Sequence, residues 1–285
     1  MFNKKNKPLN YRQCPHCRHI HDGSLAICPR CQQPSEGVLL STRFPNVIQI
    51  SWIKQILMFL IGWGGLTAVS LLVYRFFILY ANSAYNIPIL RETFLHSNRT
   101  SLMLNLITYS TLFVGLVALL WKDLVKVLKA FKPLRNLVTG LSYGGLLIVA
   151  TIAYNLLVLA TGYQMSDNQN ETAIVAMMTG YPIMSFITFV VLGPIVEEIT
   201  YRLGLFSFVH RLNRPLAYVV TMLIFGIIHM SFNPDTIINE LINLPSYIIA
   251  GTILTIAYEK EGFSVSTYAH ITNNLISFLL TTFRA

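Results

Sequence analysis

Charge is scarce in this chain. Only 12% of its 285 residues are charged and 54% are hydrophobic, whereas a soluble globular domain carries about 25% charged residues. That balance excludes an ordinary soluble fold and predicts an all-α polytopic membrane protein. Acids are scarcer than bases, 12 against 21. The excess bases sit in short loops between apolar stretches, where they set membrane orientation, so no nucleic-acid partner is expected. Cysteine is missing after residue 31, which excludes a disulfide framework for the apolar body. The first 50 residues lack the apolar core of about 7–15 residues that a cleavable signal needs, so the amino terminus reads as mature sequence. HExxH is also absent, which removes the usual helix signature of zinc proteases.

Apolar stretches long enough for the roughly 20 residues of a crossing run over 54–80, 102–121, 136–160, 181–200, 215–232, 236–257 and 263–283. Lys122, Lys126, Lys129, Lys132 and Arg135 crowd one connection, whereas the loop of Asp167, Asn168, Gln169, Asn170 and Glu171 has no base. The positive-inside rule puts the first in the cytoplasm and the second outside. Alternation then places the amino terminus inside, with Lys4, Lys5 and Lys7, and Arg211 and Arg214 inside as well. Residues 172–180 read either as a short interfacial helix or as part of a further crossing, so the bundle has seven or eight transmembrane helices. Between 122 and 135, Leu124, Val125, Val127, Leu128 and Phe131 interleave with the lysines at helical spacing. This is either an amphipathic helix on an anionic leaflet or a charged turn obeying the orientation rule. Gly140 and Gly144 form a small-xxx-small pair suited to close helix packing.

The four cysteines form two CxxC pairs, Cys14-Pro-His-Cys17 and Cys28-Pro-Arg-Cys31. Each pair makes a tight turn that aims two thiolates at one point, and two such turns complete a tetrahedral structural zinc site with no position left for water. A cytoplasmic location argues against disulfides, and a thioredoxin-like pair would need a strand and helix context that is missing. His16, His19 and His21 offer substitute ligands or are solvated surplus. A segment this short takes most of its folding free energy from the metal. The expected organisation is a zinc ribbon over 1–33, a linker over 34–50, N-terminal transmembrane helices over 51–170 and a core over 171–285. The ribbon is expected to dock a cytoplasmic protein partner or to regulate.

Inside the apolar body, Glu197 and Glu198 are the costly residues, because an ionised acid at the bilayer centre costs roughly 2.5–3.5 kcal/mol. Three further groups break the apolar pattern: Phe225 with His229, Asn233, and His270 with Asn274. Spacings of i and i+4 place Glu198 over Arg202 on one helix face, His229 over Asn233 on a second if that helix continues so far, and His270 over Asn274 on a third. Such a set supplies what a hydrolytic site needs: Glu198 or Glu197 as base, Arg202 to hold the other acid ionised, and His229, His270 and Asn274 to orient water or stabilise an oxyanion. A catalytic zinc held by Glu, His229 and His270 is a second reading of the same residues. Taken singly, the Glu198 and Arg202 pair also reads as a helix salt bridge, and His229 and the His270 with Asn274 pair as interhelical glue or caps. His96 and His210 lie beside loops and receive no role.

The ordered set EExxxR, FxxxH and HxxxN, each in its own apolar segment, resembles the CAAX protease and bacteriocin-processing enzyme (Abi) family of intramembrane proteases, which includes the eukaryotic prenyl-protein endopeptidase. The matching positions are Glu197, Glu198 and Arg202, then Phe225 and His229, then His270 and Asn274. The resemblance covers roughly 180–280. It implies a bundle of about eight helices, catalytic glutamates and histidines, and a cavity within the membrane, with water activated by glutamate or by a metal. Family members often carry Phe-Arg-Gly around the arginine. Here Tyr201-Arg202-Leu203-Gly204 displaces the glycine by one place, which puts close packing of that helix in question. The expected activity is hydrolysis of a peptide bond near the cytoplasmic side, in a membrane-associated peptide or protein, at a prokaryotic cell membrane. The competing readings are a non-catalytic immunity or scaffold protein, which uses the same polar cavity for partner binding, and an ion or proton transporter. The absence of paired broken helices in an internal repeat speaks against transport.

Overall fold

The computed structural model describes residues 11–14, 16, 17, 20–22, 25, 27–34, 39, 40, 50–166 and 168–284. The chain divides into two units, Met1–Val47 and Ile48–Ala285. Most of the 34–50 linker lies outside the described residues, as do Lys4, Lys5, Lys7, His19 and Asp167.

The first unit holds three short strands, β1 (Tyr11–Gln13), β2 (Ile20–Asp22) and β3 (Leu39–Leu40), in the order β2-β1-β3. Both pairings are antiparallel, with Tyr11 opposite Asp22 on one side and Leu40 on the other. Cys14 directly follows β1, and the second CxxC forms its own turn, closed by Gln32 N donating to Cys28 O at 2.9 Å.

The second unit is helical among its described residues. In chain order the helices are α1 (Trp52–Ala84), α2 (Pro88–Leu95), α3 (Asn98–Leu120), α4 (Leu124–Ala130), α5 (Leu134–Ala160), α6 (Gln169–Gly180), α7 (Pro182–His210), α8 (Arg214–Ile227), α9 (Ile237–Glu261) and α10 (Phe263–Arg284). Five of them, α1, α3, α5, α7 and α9, are long and apolar enough to cross a membrane. Two more complete the seven apolar stretches of the sequence. One is α10, whose 22 residues include His270, Asn273 and Asn274; the other is α8, whose 14 residues reach only about 21 Å at 1.5 Å per residue. Residues 172–180 belong to the separate short helix α6, and part of the basic loop is helical as α4. The protein is an all-α polytopic membrane protein with a small cysteine-bearing module before it.

Local sequence sets the ends of these helices. Side chains of Ser51, Ser97, Asn168 and Asn213 accept the backbone N–H three residues on, at the starts of α1, α3, α6 and α8, satisfying donors that a helix start leaves unpaired. Between α9 and α10 the chain turns at Gly262, whose φ of 105° is open to glycine and strained for other residues. Helix α7 is the most buried of the five long apolar helices: 56% of its most apolar stretch is buried, against 11% for α1 and α5. Its turns alternate between α and π geometry, with π turns over Phe186–Leu192 and Glu198–Phe206. Pro194, between them, has no N–H to give the preceding turn and its ring crowds the carbonyl there, which favours wider turns. Gly204 lets the α1 backbone approach α7. A Cβ there would stand 2.9 Å from Phe59 N and 3.1 Å from Gln55 O. The close packing questioned at the sequence level is therefore present, carried by Gly204 in its displaced position. Gly140 and Gly144 of α5 likewise face Tyr268 and Thr272 of α10.

Candidate functional site

Helices α3, α7, α8, α9 and α10 bring polar side chains together around the middle of α7. Glu197 stands about midway along this 29-residue helix, roughly 20 Å from either end, at the junction between an α segment and the second π segment. Mid-helix π turns often mark functional positions.

The two glutamates have different surroundings. Glu198 is fully buried and forms an ion pair with the fully buried Arg202, Oε1 to Nη1 at 3.1 Å. The same oxygen accepts from His270 Nδ1 at 3.0 Å. Arg202 is held on its other sides by the Gly251 carbonyl, 3.4 Å from Nη2, and by the face of Phe225, whose centroid is 4.6 Å from the guanidinium carbon. Arg202 therefore serves Glu198 and leaves the other acid unpaired by a guanidinium. Glu197 keeps 15% of its side chain exposed, and its Oε1 accepts from Tyr109 Oη of α3 at 3.2 Å. Its Oε2 lies 3.7 Å from His270 Nε2. His270 thus spans the two acids, one ring nitrogen towards each.

His229 reaches the cluster from a turn. Helix α8 ends at Ile227, so the helical face expected for His229 and Asn233 does not form. Pro234 disfavours helical geometry at the residue before it, and Asn233 Oδ1 instead accepts from Asp235 N at 3.1 Å in a local turn. Nδ1 of His229 lies 2.7 Å from the Phe225 carbonyl, which has no proton of its own, so Nδ1–H donates and Nε2 is left as the free position. The ring stacks on Tyr247, with centroids 4.7 Å apart, while its carbonyl accepts from Asn168 Nδ2 at 3.2 Å. Asn274, one turn after His270, donates from Nδ2 to the Phe189 carbonyl at 3.0 Å. One of its two amide protons is therefore tied to the π segment of α7.

Two contributors were not singled out in the sequence. Tyr109 is one tyrosine in an apolar helix and carries no motif. Glu240 is a buried acid in an apolar run, the same signal that drew attention to Glu197 and Glu198. Its carboxylate accepts from Gln169 N (2.8 Å) and Ser231 N (2.9 Å), and so joins the start of α6 to the loop that follows His229. Glu259, also buried, receives both Nε and Nη2 of Arg214 at 2.7 and 2.8 Å, with Tyr218 Oη at 2.7 Å. His210, given no role from sequence, lies 3.3 Å from that carboxylate.

Residues 179–276 match the family model described as type II CAAX prenyl endopeptidase, Rce1-like. This part of the chain is similar to that family. The match takes in every member of the polar cluster except Tyr109 and Asn168, which precede it. The chain is also 27% identical over 167 residues to an uncharacterized protein of Mycoplasma capricolum subsp. capricolum, covering 54% of this chain and 47% of that one. The chain thus spans about half the length of the curated relative it matches. No solved structure matches.

The Rce1-like family consists of membrane endopeptidases, and the arrangement here supplies an accessible carboxylate, a free imidazole nitrogen and a clamped second acid. Metal ligation is a separate matter. Among the described residues, Cys14, Cys17, Cys28 and Cys31 bring their sulfurs within 4.8 Å of one another, whereas Glu197, His229 and His270 form no comparable group. Cys14 Sγ lies 3.5 Å from Cys31 Sγ and Cys17 Sγ lies 3.7 Å from Cys28 Sγ. A tetrahedral site with Zn–S of about 2.3 Å has its sulfurs about 3.8 Å apart, so the four thiols fit a metal ion. They are not disulfide-bonded. Burial opposes ionisation of Cys14, but backbone N–H groups of Cys17 and His16 bring its thiol down to about 7, near the range in which thiolates are available as ligands.

Proposed function

We propose that this protein is an intramembrane endopeptidase in which Glu197 activates water to hydrolyse a peptide bond of a membrane-associated peptide or protein. The observation that carries this reading is the asymmetry of the two acids. Arg202 and His270 occupy Glu198, while Glu197 stays partly open, steadied by the Tyr109 hydroxyl. In this scheme a water lies between Glu197 and Nε2 of His229. Glu197 takes its proton as the oxygen attacks the carbonyl carbon, then passes that proton to the amide nitrogen as the C–N bond breaks. Asn274 offers the developing oxyanion the amide proton not held by Phe189, and His270, whose Nε2 faces Glu197 Oε2, orients that carboxylate and the water. Glu198 and Arg202 position His270. The reacting bond lies at the level of Glu197, about midway along α7.

The four cysteines would hold zinc as a closed structural site, supplying a rigid fold and no catalysis. The ribbon reads as a docking or regulatory module on the cytoplasmic face of a prokaryotic cell membrane, an assignment that rests on the positive-inside rule. The test is detergent-purified protein incubated with membrane peptides and followed by mass spectrometry. Wild type produces new termini, and Glu197→Gln, folded and inserted, produces none. Equal cleavage by both would reject Glu197 as base, and no cleavage by either would favour the scaffold or immunity reading.

A further inference from the structure

The connection between α3 and α5 is built more firmly than an orientation signal requires. Within it, α4 is fixed to the helix bundle. Val127 is buried, and Phe131 packs edge-on against Phe263 and Tyr268, with centroids 5.8 and 5.3 Å away. Tyr268 Oη donates to the Phe131 carbonyl at 3.0 Å, and Asn136 Nδ2 donates to the Ala130 carbonyl at 2.8 Å. The opposite side carries Trp121, Val125 and Leu128, which are 72%, 63% and 54% exposed, among the exposed lysines 122, 126, 129 and 132. Two carboxylates lie near, and both are occupied. Asp123 accepts from Lys54 at 2.7 Å and Lys126 at 3.4 Å, and Glu261 pairs with Arg135 at 3.5 Å. The hydrogen bond from Lys54 holds the Asp123 carboxyl below the usual carboxylate range, so that pair persists. Lys122, Lys129 and Lys132 make no ion pair with a described residue.

We propose that this surface docks anionic phospholipid headgroups. The combination of groups selects the occupant. A soluble phosphate or an acidic peptide would meet the ammonium groups but leave Trp121, Val125 and Leu128 in water. A leaflet supplies phosphates at the level of the lysines and acyl chain at the level of the indole and the aliphatic side chains. The surface lies where two spans end, at Leu120 and Leu134, which is headgroup level. Because α4 is already pinned, binding a lipid orders little further chain.

The test uses the full-length protein in nanodiscs of phosphatidylcholine alone and of phosphatidylcholine with phosphatidylglycerol, with retained lipid counted by native mass spectrometry. Wild type is expected to retain phosphatidylglycerol selectively and to lose it as salt rises. Each lysine near an anionic surface changes binding roughly five-fold, so K122Q/K129Q/K132Q is expected to bind about a hundred-fold more weakly, while K122R/K129R/K132R binds as wild type. Equal retention of the two lipids by wild type, or unchanged selectivity in the glutamine variant, would overturn the proposal. Displacement of the lipid by inorganic phosphate or by an acidic peptide would overturn the choice of occupant. If the glutamine variant fails to insert, the selectivity and salt response of wild type decide alone.

Discussion

Glu197 and Glu198 are adjacent and chemically identical, yet replacing each with glutamine should have opposite consequences. Glu198 is fully buried against an equally buried Arg202. Glu198→Gln keeps an amide oxygen near Arg202 but removes the counter-charge, leaving a buried guanidinium with only neutral partners: that amide, the Gly251 carbonyl at 3.4 Å and the face of Phe225. Removing one partner of a buried pair costs about 3–5 kcal/mol, most of it from the charge left behind, a large share of the roughly 5–15 kcal/mol that separates folded from unfolded states. Glu197 loses less. Its exposed side needs no partner, and a glutamine oxygen still accepts from Tyr109, so Glu197→Gln should change stability by no more than about 1 kcal/mol. Its effect falls on turnover, where removal of a general base costs about 10²–10⁴-fold. Both variants should be purified in the same micelles and compared by thermal and denaturant unfolding beside peptide cleavage. The reasoning predicts a stable, inactive Glu197→Gln and a destabilised Glu198→Gln. It is refuted if Glu198→Gln unfolds as wild type does, or if Glu197→Gln is the less stable of the two.

Tyr109→Phe removes a hydrogen bond to a charged acceptor, worth about 1.5–3 kcal/mol; kcat should fall about ten-fold or more with KM unchanged, and an unaltered kcat would remove Tyr109 from the site. Gly204→Ala forces a methyl group against Phe59 N and Gln55 O of α1 and should destabilise the bundle by about 1–3 kcal/mol, read as a lowered unfolding midpoint. Replacing Cys14 and Cys17 together by serine should release about one zinc ion per chain in elemental analysis, with insertion of the helical unit unchanged. Metal retained by that variant would move it to the histidines and glutamates.

The membrane-spanning pattern was largely legible in the sequence. The periodicity of apolar runs is a local property, and each of the seven runs is occupied by a helix. The Glu198 and Arg202 pair was legible for the same reason, since a spacing of four residues brings side chains together within one helix. Other features depend on packing between distant segments. The choice of partner for Arg202 decides which glutamate is free, and nothing in EExxxR reveals that His270 Nδ1 also approaches Glu198. Tyr109 lies 88 residues from Glu197, and an isolated tyrosine in an apolar helix gives no sign of its hydroxyl's target. The end of α8 was readable in principle from Asn233-Pro234, because proline disfavours helix at the preceding residue. The π turns of α7 were not, since they depend on how the chain accommodates Pro194 between two packed faces. Glu240 was readable by the rule that made Glu197 and Glu198 stand out.

The central claim is that Glu197 activates a water molecule for direct attack on a peptide bond. The most direct test is cleavage of a membrane peptide in ¹⁸O-labelled water under single-turnover conditions, with the new carboxyl terminus weighed by mass spectrometry. The account predicts label in the first product from wild type and no product from Glu197→Gln. An unlabelled first product, or labelled product from Glu197→Gln at the wild-type rate, would contradict it.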